Sequence, residues 1–274
     1  MPVSFQTVRT LNGLKNRAEA LAAEHSLGHM KSLDLASQEL GYSGYKKAQQ
    51  NLPAKMVTIQ VKVRWHDTRY KLRGTESISY PFMQPLAQML SPAKGRRRQR
   101  LGMFVMTDAN LLELELQLEM PTGAQTEARR KACQTIRRLM FMEALGVTLA
   151  PPNVIGWSTG PGTNRVDNEV RMPGTDHHSV WVTQEGAVLI VDEPYLNSDG
   201  QRPKMDRQLA WCDANGFEMA VPTWKGMWNP EGGTHMSLLA RKDSGLDLQE
   251  MAEKLVNLPD DFGQKEWRGS STSR

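Results

Sequence analysis

The densest cluster of ionisable side chains lies between residues 94 and 100. It consists of one lysine and four arginines: Lys94, Arg96, Arg97, Arg98 and Arg100. Closely spaced cations on a flexible segment bind phosphate groups, because they displace the counterions that surround a nucleic acid. This cluster therefore predicts contact with a phosphate backbone.

A second basic set lies on a helix predicted to begin after Thr122. At about 100° per residue, Arg130, Arg137 and Arg138 fall close together, opposite an apolar stripe. Beside the basic loop, such a face would form a groove that follows a phosphate backbone. The alternative interpretation is that this helix face is only solvated. The chain holds no zinc finger, RNP motif or basic zipper, so DNA and RNA are not distinguished.

A third set of residues could bind a divalent metal. Its members stand next to predicted strands and supply three imidazoles and one carboxylate: His177, His178, His235 and Glu193. Two imidazoles and a carboxylate with an open position suit a catalytic zinc or non-haem iron. Their spacing matches no established metal motif, and the alternative is that they are polar turn residues. A metal-dependent enzyme is therefore an alternative hypothesis, and whether the protein is an enzyme stays open.

Two tryptophans provide a third hypothesis, a non-catalytic protein–protein interaction module. Trp224 and Trp228 lie in a Gly/Pro-rich segment, where exposed rings would form a surface for a protein partner. We favour burial, since large aromatic side chains are buried on average.

Composition and charge set the limits on the class of protein. Hydrophobic residues make up 39% of the 274-residue chain and charged residues 23%, which excludes wholesale disorder, collagen and a coiled-coil rod. The charge is uneven: residues 1–150 hold 22 Lys/Arg against 12 Asp/Glu, a net +10, whereas residues 151–274 hold 12 against 18, a net −6. Such asymmetry indicates a polyanion-facing half and an acidic half. The alternative is that the two halves attract each other, or that the basic residues only solvate exposed faces.

The two cysteines and the hydropathy predict a cytoplasmic protein. Cys133 and Cys212 have no partner at metal-ligand or redox spacing, and both are typical of buried thiols in a reducing compartment. No stretch approaches 18 apolar residues, and the first residues lack the features of a secretion signal. We therefore expect no membrane association.

Hydrophobic periodicity predicts an α+β fold, in which a small three-helix module precedes a larger, mainly antiparallel sheet domain with packed helices. Helical spacing marks residues 11–50, and strict alternation marks a strand over Val57–Trp65. Further strands are predicted at 70–80, 103–107, 112–118, 178–183, 187–192, 217–221 and 236–240, with helices at 122–145, 205–214 and 246–258. The predicted domains are residues 1–53 and 54–258, with an internal seam near 150–152, followed by a disordered tail over 259–274.

The helical module carries a resemblance. The residues His29, Ala36 and Leu40-Gly41-Tyr42 close its second predicted helix and start its third. This run resembles a short helical module of bacterial glyoxalase-related proteins. The rest of the chain is similar to a family of unassigned function carried by bacterial plasmids and other mobile elements. The resemblance implies no activity, because the module is not the catalytic fold of the glyoxalases. The leading hypothesis is a cytosolic nucleic-acid-associated accessory protein.

Overall fold

The computed structural model describes residues 8, 10–52, 56–90, 99–119, 123–151, 154, 172–200, 204–260 and 263–273. Within these residues the chain has seven α-helices and two mostly antiparallel sheets, so the predicted α+β class is confirmed. The chain divides into two compact units. One comprises Met1–Ile59 with Pro81–Pro85, and the other Gln60–Tyr80 with Leu86–Arg274.

The first unit contains the three predicted helices, α1 (Leu11–His25), α2 (His29–Glu39) and α3 (Tyr45–Asn51). The Thr10 hydroxyl oxygen accepts the N–H of Gly13 and so caps the start of α1. The residues that form its core are fully or largely buried: Leu14, Ala18, Leu21, Leu33, Ala36, Ala48 and Leu52. Helical periodicity was sufficient to place these residues because the module is built from local contacts.

A six-stranded sheet carries the longest strands of the protein. Its strands are β1 (Val57–Asp67), β2 (Leu72–Phe82), β3 (Arg100–Leu101), β4 (Phe104–Asp108), β5 (Leu111–Leu118) and β11 (Ser270–Ser273). They lie in the order β11-β2-β1-β5-β4-β3. Strand β5 is parallel to β1, whereas β4 is antiparallel to both β3 and β5, and β11 is antiparallel to β2.

A second, five-stranded sheet is antiparallel throughout. Its strands are β6 (Thr148–Leu149), β7 (Ser179–Val182), β8 (Val188–Asp192), β9 (Phe217–Ala220) and β10 (Ser237–Arg241), in the order β6-β7-β8-β10-β9. Strands β7 and β8 pair antiparallel within the two neighbouring segments that the sequence predicted as strands, 178–183 and 187–192. Strand β6 pairs with β7, so the predicted seam near residues 150–152 lies between two paired strands of one compact unit.

Four helices accompany the sheets: α4 (Leu86–Met89), α5 (Ala124–Leu145), α6 (Met205–Asn215) and α7 (Leu248–Leu255). Helix α5 is buried along most of its length and contacts both sheets. Its Phe141 ring packs against Trp181 of β7 at a centroid distance of 5.1 Å, and its Arg129 reaches Glu76 of β2. Gly146, in the left-handed region at φ 66°, ends this helix as predicted.

The prediction of disorder over residues 259–274 is wrong for the part of the segment that the structure describes. Residues 270–273 form β11, whose Ser271 pairs with Glu76 of β2. A Cβ on Gly74 would lie 2.3 Å from the Thr272 carbonyl oxygen and 2.6 Å from the Trp65 ring, so a glycine is what allows β11 to approach. The apolar content of the segment does not predict this strand, because the strand is stabilised by backbone pairing with β2 and by side-chain hydroxyl groups.

Among the residues that the structure describes, no helix has both the length and the apolar character needed to cross a membrane.

Candidate nucleic-acid interface

The four candidate metal ligands do not assemble into a metal site. Glu193 is buried, and its Oε1 accepts the N–H groups of Met227 at 2.5 Å and Trp228 at 2.9 Å. His177 stacks on the Trp228 ring at 4.3 Å. Across the described residues, which include His178 and His235 as well, no group of three or more His, Cys, Asp or Glu side chains is placed to hold a metal ion. The candidate carboxylate instead binds the backbone of the loop that carries Trp228.

Burial controls the ionisation of Glu193 and His177. Burial raises the pKa of Glu193 to about 7, against the opposing effects of its two backbone donors and of nearby arginines. Burial also lowers the pKa of His177 below its ordinary value, although the Asp176 carboxylate lies 3.3 Å from its Nε2. Both shifts favour uncharged groups around Trp228, which suits a packed loop.

The predicted basic face of α5 is not an exposed face. Arg137 is 1% exposed, and its Nη1 and Nη2 donate to the carbonyl oxygens of Gly226 at 2.9 Å and Asp260 at 2.6 Å. Its guanidinium also lies over the Trp224 ring. A side chain that satisfies two backbone carbonyls in the interior is excluded from a phosphate-binding surface.

The other two arginines of that set are half-buried. Arg130 makes two hydrogen bonds to the Glu127 carboxylate, at 2.7 and 2.5 Å, and lies over the Trp228 ring. Burial lowers the pKa of Arg138 from its ordinary value. Arg137 is therefore removed from the predicted groove, and Arg130 is engaged by Glu127 and Trp228.

The predicted basic loop falls almost entirely outside the described residues. The structure does not describe Lys94, Arg96, Arg97 and Arg98, so their role stays a prediction. Arg100 is exposed and is the first residue of β3. Across the sheet, Arg100 pairs with Val105 of β4, Val105 pairs with Glu113 of β5, and Glu113 pairs with Lys62 of β1. Paired residues lie on the same side of a sheet, so Arg100 shares a face with Lys62.

The same face of the sheet includes a basic surface that was not predicted from the sequence. We call β1, β2 and the turn between them (Val57–Phe82) the basic hairpin. Its apolar residues alternate with polar ones, so one face is buried and the other is open. All of its lysines and arginines are exposed or half-buried: Lys62, Arg64, Arg69, Lys71 and Arg73.

Both acidic residues of the basic hairpin are buried and hydrogen-bonded. The Asp67 Oδ1 accepts the N–H groups of Arg69 and Tyr70, each at 3.0 Å, and so fixes the turn. Glu76 is fully buried beneath the sheet and accepts hydrogen bonds from four side chains: Trp65, Gln125, Arg129 and Ser271. Neither carboxylate reaches the surface, so the surface of the hairpin carries cations without anions.

Carboxylates on the neighbouring strand β5, and that of Glu119 directly after it, offset this charge only in part. Glu113 Oε1 lies 3.2 Å from Arg64 Nη1 and 3.4 Å from Lys62 Nζ, so one negative charge faces two cations. Glu115 pairs with Arg64, and Glu119 accepts the hydroxyl of Thr68. The cations of the hairpin outnumber these three carboxylates, and the positive excess is greatest at the turn.

The two tryptophans of the Gly/Pro-rich segment differ in their burial. Trp224 is buried, and its Nε1 donates to the Pro259 carbonyl oxygen at 3.2 Å, which agrees with the burial that the sequence favoured. Trp228 is half-buried beneath His177, Arg130 and Lys131. The pair does not form an exposed aromatic surface, because one of the two rings is inside the protein.

Comparisons with known proteins add no family. A scan against protein-family models, a search of curated proteins and a search of solved structures found no match. The resemblance of residues 11–50 therefore stays a prediction, and function is inferred from geometry and charge.

One sequence signal pointed to the basic hairpin without identifying it. The alternation of Val57–Trp65 puts Lys62 and Arg64 on the polar face of a strand. Because Asp67 and Glu76 are buried, the open face of the hairpin carries a positive charge. Asp67 is held by the turn, and Glu76 is held by α5 and the distant strand β11; the alternation encodes none of these contacts.

Proposed function

We propose that the protein is a nucleic-acid-associated accessory protein that contacts phosphate groups through the basic hairpin. The supporting observation is the segregation of charge within Val57–Phe82, where all five cations are exposed or half-buried and both carboxylates are buried. Long cationic side chains on an open face neutralise phosphates and release counterions.

The chemistry of this surface favours binding with little sequence preference. Contacts to phosphate position a nucleic acid but carry no base information. Arg100 extends the surface along the same face, and the basic run at 94–98 directly precedes it in the chain. A cytoplasmic location goes with this proposal: Cys133 and Cys212 are buried, and burial raises the pKa of Cys133 to about 12, so it stays a thiol.

Neutralising the turn of the hairpin tests the proposal. The variant Arg69→Gln/Lys71→Gln/Arg73→Gln removes three exposed cations that make no ion pair among the described contacts. We expect its affinity for fluorescently labelled oligonucleotides to fall about tenfold or more at low salt, for every sequence alike. Fluorescence anisotropy measures the loss.

A matched control separates a local surface from total charge. The variant Lys15→Gln/Lys46→Gln/Lys47→Gln removes the same charge from exposed positions of the helical module. We expect it to bind like the unmodified protein. Equal losses in both variants would contradict a defined interface, and absence of binding by the unmodified protein would end the proposal.

A further inference from the structure

The turn of the basic hairpin lies at an end of the sheet where the described pairing with both flanking strands stops. Pairing of β1 with β5 ends at Asp67 and Leu118, and pairing of β2 with β11 ends at Gly74 and Ser273. We call the segment between these limits, Thr68–Arg73, the hairpin tip. Thr68 contacts the end of β5 through its N–H and its hydroxyl, whereas every residue from Arg69 to Arg73 is exposed to a ligand.

The hairpin tip presents an aromatic ring on a fixed turn. Tyr70 is 62% exposed, and the Arg69 guanidinium lies over its ring at 5.5 Å. The backbone N–H of Tyr70 is held by the buried Asp67 carboxylate. Leu72, 52% exposed, adds apolar surface. An exposed ring next to cations is the combination that stacks on a base while binding the adjacent phosphates.

The width of the sheet limits how far the hairpin can enter a duplex. Strands β11, β2, β1 and β5 lie side by side, which at about 4.8 Å per strand spans about 14 Å before side chains are added. The major groove is about 12 Å wide and admits a two-stranded ribbon. The four-stranded part of the sheet is wider than that groove, so only the hairpin tip could enter it, and a base in a stacked duplex offers no free face to Tyr70.

We infer that the basic hairpin binds single-stranded nucleic acid, with Tyr70 stacked on an unpaired base and Arg69 and Lys71 on neighbouring phosphates. This inference rests on the proposed function and adds the class of ligand. Base stacking on an aromatic side chain tolerates every base, so it agrees with the absence of a base-reading motif.

The test compares Tyr70→Ala with Tyr70→Phe on three ligands of one sequence: single-stranded DNA, single-stranded RNA and the DNA duplex. Binding is measured by anisotropy at one salt concentration. We expect the unmodified protein to prefer one or both single strands to the duplex. Tyr70→Ala should weaken single-strand binding about tenfold and leave duplex binding unchanged, whereas Tyr70→Phe keeps the stacking ring and should bind normally. The RNA and DNA arms show which single strand is bound.

Two outcomes would overturn this inference alone. One is duplex binding as tight as single-strand binding, and the other is a Tyr70→Ala variant that binds single strands normally. In both, the three-cation variant would still lose affinity and the proposed function would stand. If the unmodified protein binds none of the three ligands, the proposed function fails and this inference fails with it.

Discussion

Glu193 is a carboxyl group whose surroundings oppose its ionisation. It is buried, it holds the backbone of Met227 and Trp228, and its pKa is raised to about 7. Between its ordinary pKa of 4.5 and about 7, the group is protonated in the folded protein and ionised in the unfolded chain. The free energy of unfolding therefore falls as the pH rises through this window and levels off above it.

Replacing Glu193 by glutamine should remove that dependence. In Glu193→Gln the side-chain oxygen can still accept the two N–H groups, but no proton is lost. We expect the unfolding free energy of the unmodified protein to drop by up to about 3 kcal/mol more than that of the variant between pH 4.5 and 7.5. Chemical denaturation at several pH values measures both curves. Glu115→Gln, at an exposed glutamate, is the control and should track the unmodified protein; parallel curves for Glu193→Gln would contradict the role of burial.

Individual residues were the hardest feature to predict from the sequence. Arg137 lies two turns from Arg130 on α5, and charge and helical spacing assigned both to a phosphate-contacting face. The two carbonyl groups that hold Arg137 come from Gly226 and Asp260, each about a hundred positions away along the chain. No local pattern encodes such partners. Similarly, His177 stacks on the Trp228 ring, and Glu193 accepts the backbone N–H of the same residue. Both candidate metal ligands therefore help to pack the loop that carries Trp228.

Strand β11 illustrates the same limit for an element. Its four side chains are exposed hydroxyl groups, and their composition predicts disorder. The strand is held by its pairing with β2 and by the Ser271 hydroxyl, which donates to Glu76 Oε2 at 2.6 Å. Arg129 Nη2 in turn donates to the Ser271 oxygen at 3.0 Å. A buried carboxylate thus organises one helix and two strands.

Removing the hydroxyl of Ser271 should weaken this junction. Ser271→Ala takes away one of the donors to a fully buried carboxylate, and a hydrogen bond to a charged group contributes about 1.5–3 kcal/mol. We expect the unfolding free energy to fall by about that amount in chemical denaturation. Ser270→Ala, the adjacent exposed position on the opposite face of the same strand, should change it by less than about 0.5 kcal/mol. Equal effects of the two substitutions would mean that Glu76 does not hold β11.

The clearest predictions from the sequence were the elements with a long local period. Strands β1 and β5 alternate over many residues, and helices α1, α2 and α5 keep their apolar spacing. The two-residue strands β3 and β6 are too short to show a period, and they exist because a neighbouring strand supplies their hydrogen bonds. The fold class was accessible from periodicity, whereas three of the four edge strands, β3, β6 and β11, depended on tertiary pairing.

For the molecule as a whole, the sequence correctly located an excess of positive charge in residues 1–150. The structure places part of that charge in the interior around α5 and part on the basic hairpin. The exposed part alone is available to a polyanion. Its size sets how steeply binding depends on salt, because each neutralised phosphate releases condensed counterions.

The salt dependence of binding should therefore report on the hairpin. For a single strand, the slope of log affinity against log salt is about −0.7 per phosphate contact, so the five hairpin cations would contribute about −3.5. Neutralising Arg69, Lys71 and Arg73 together should make the slope shallower by about 2. Titrations across a salt series measure it. The Lys15/Lys46/Lys47 variant should keep the slope of the unmodified protein, and three parallel lines would show that the tip contacts no phosphate.

The pairing of β11 with β2 also has a consequence for biosynthesis. Ser271 and Glu76, which the junction joins, are 195 positions apart. While the ribosome makes the intervening chain, the outer edge of β2 has backbone N–H and C=O groups without their final partners. The nascent protein completes this sheet only after residues 270–273 emerge. A chain released before that point would expose a strand edge that can pair with a second chain, so we expect premature termination to yield aggregates more readily than substitutions on the open face do.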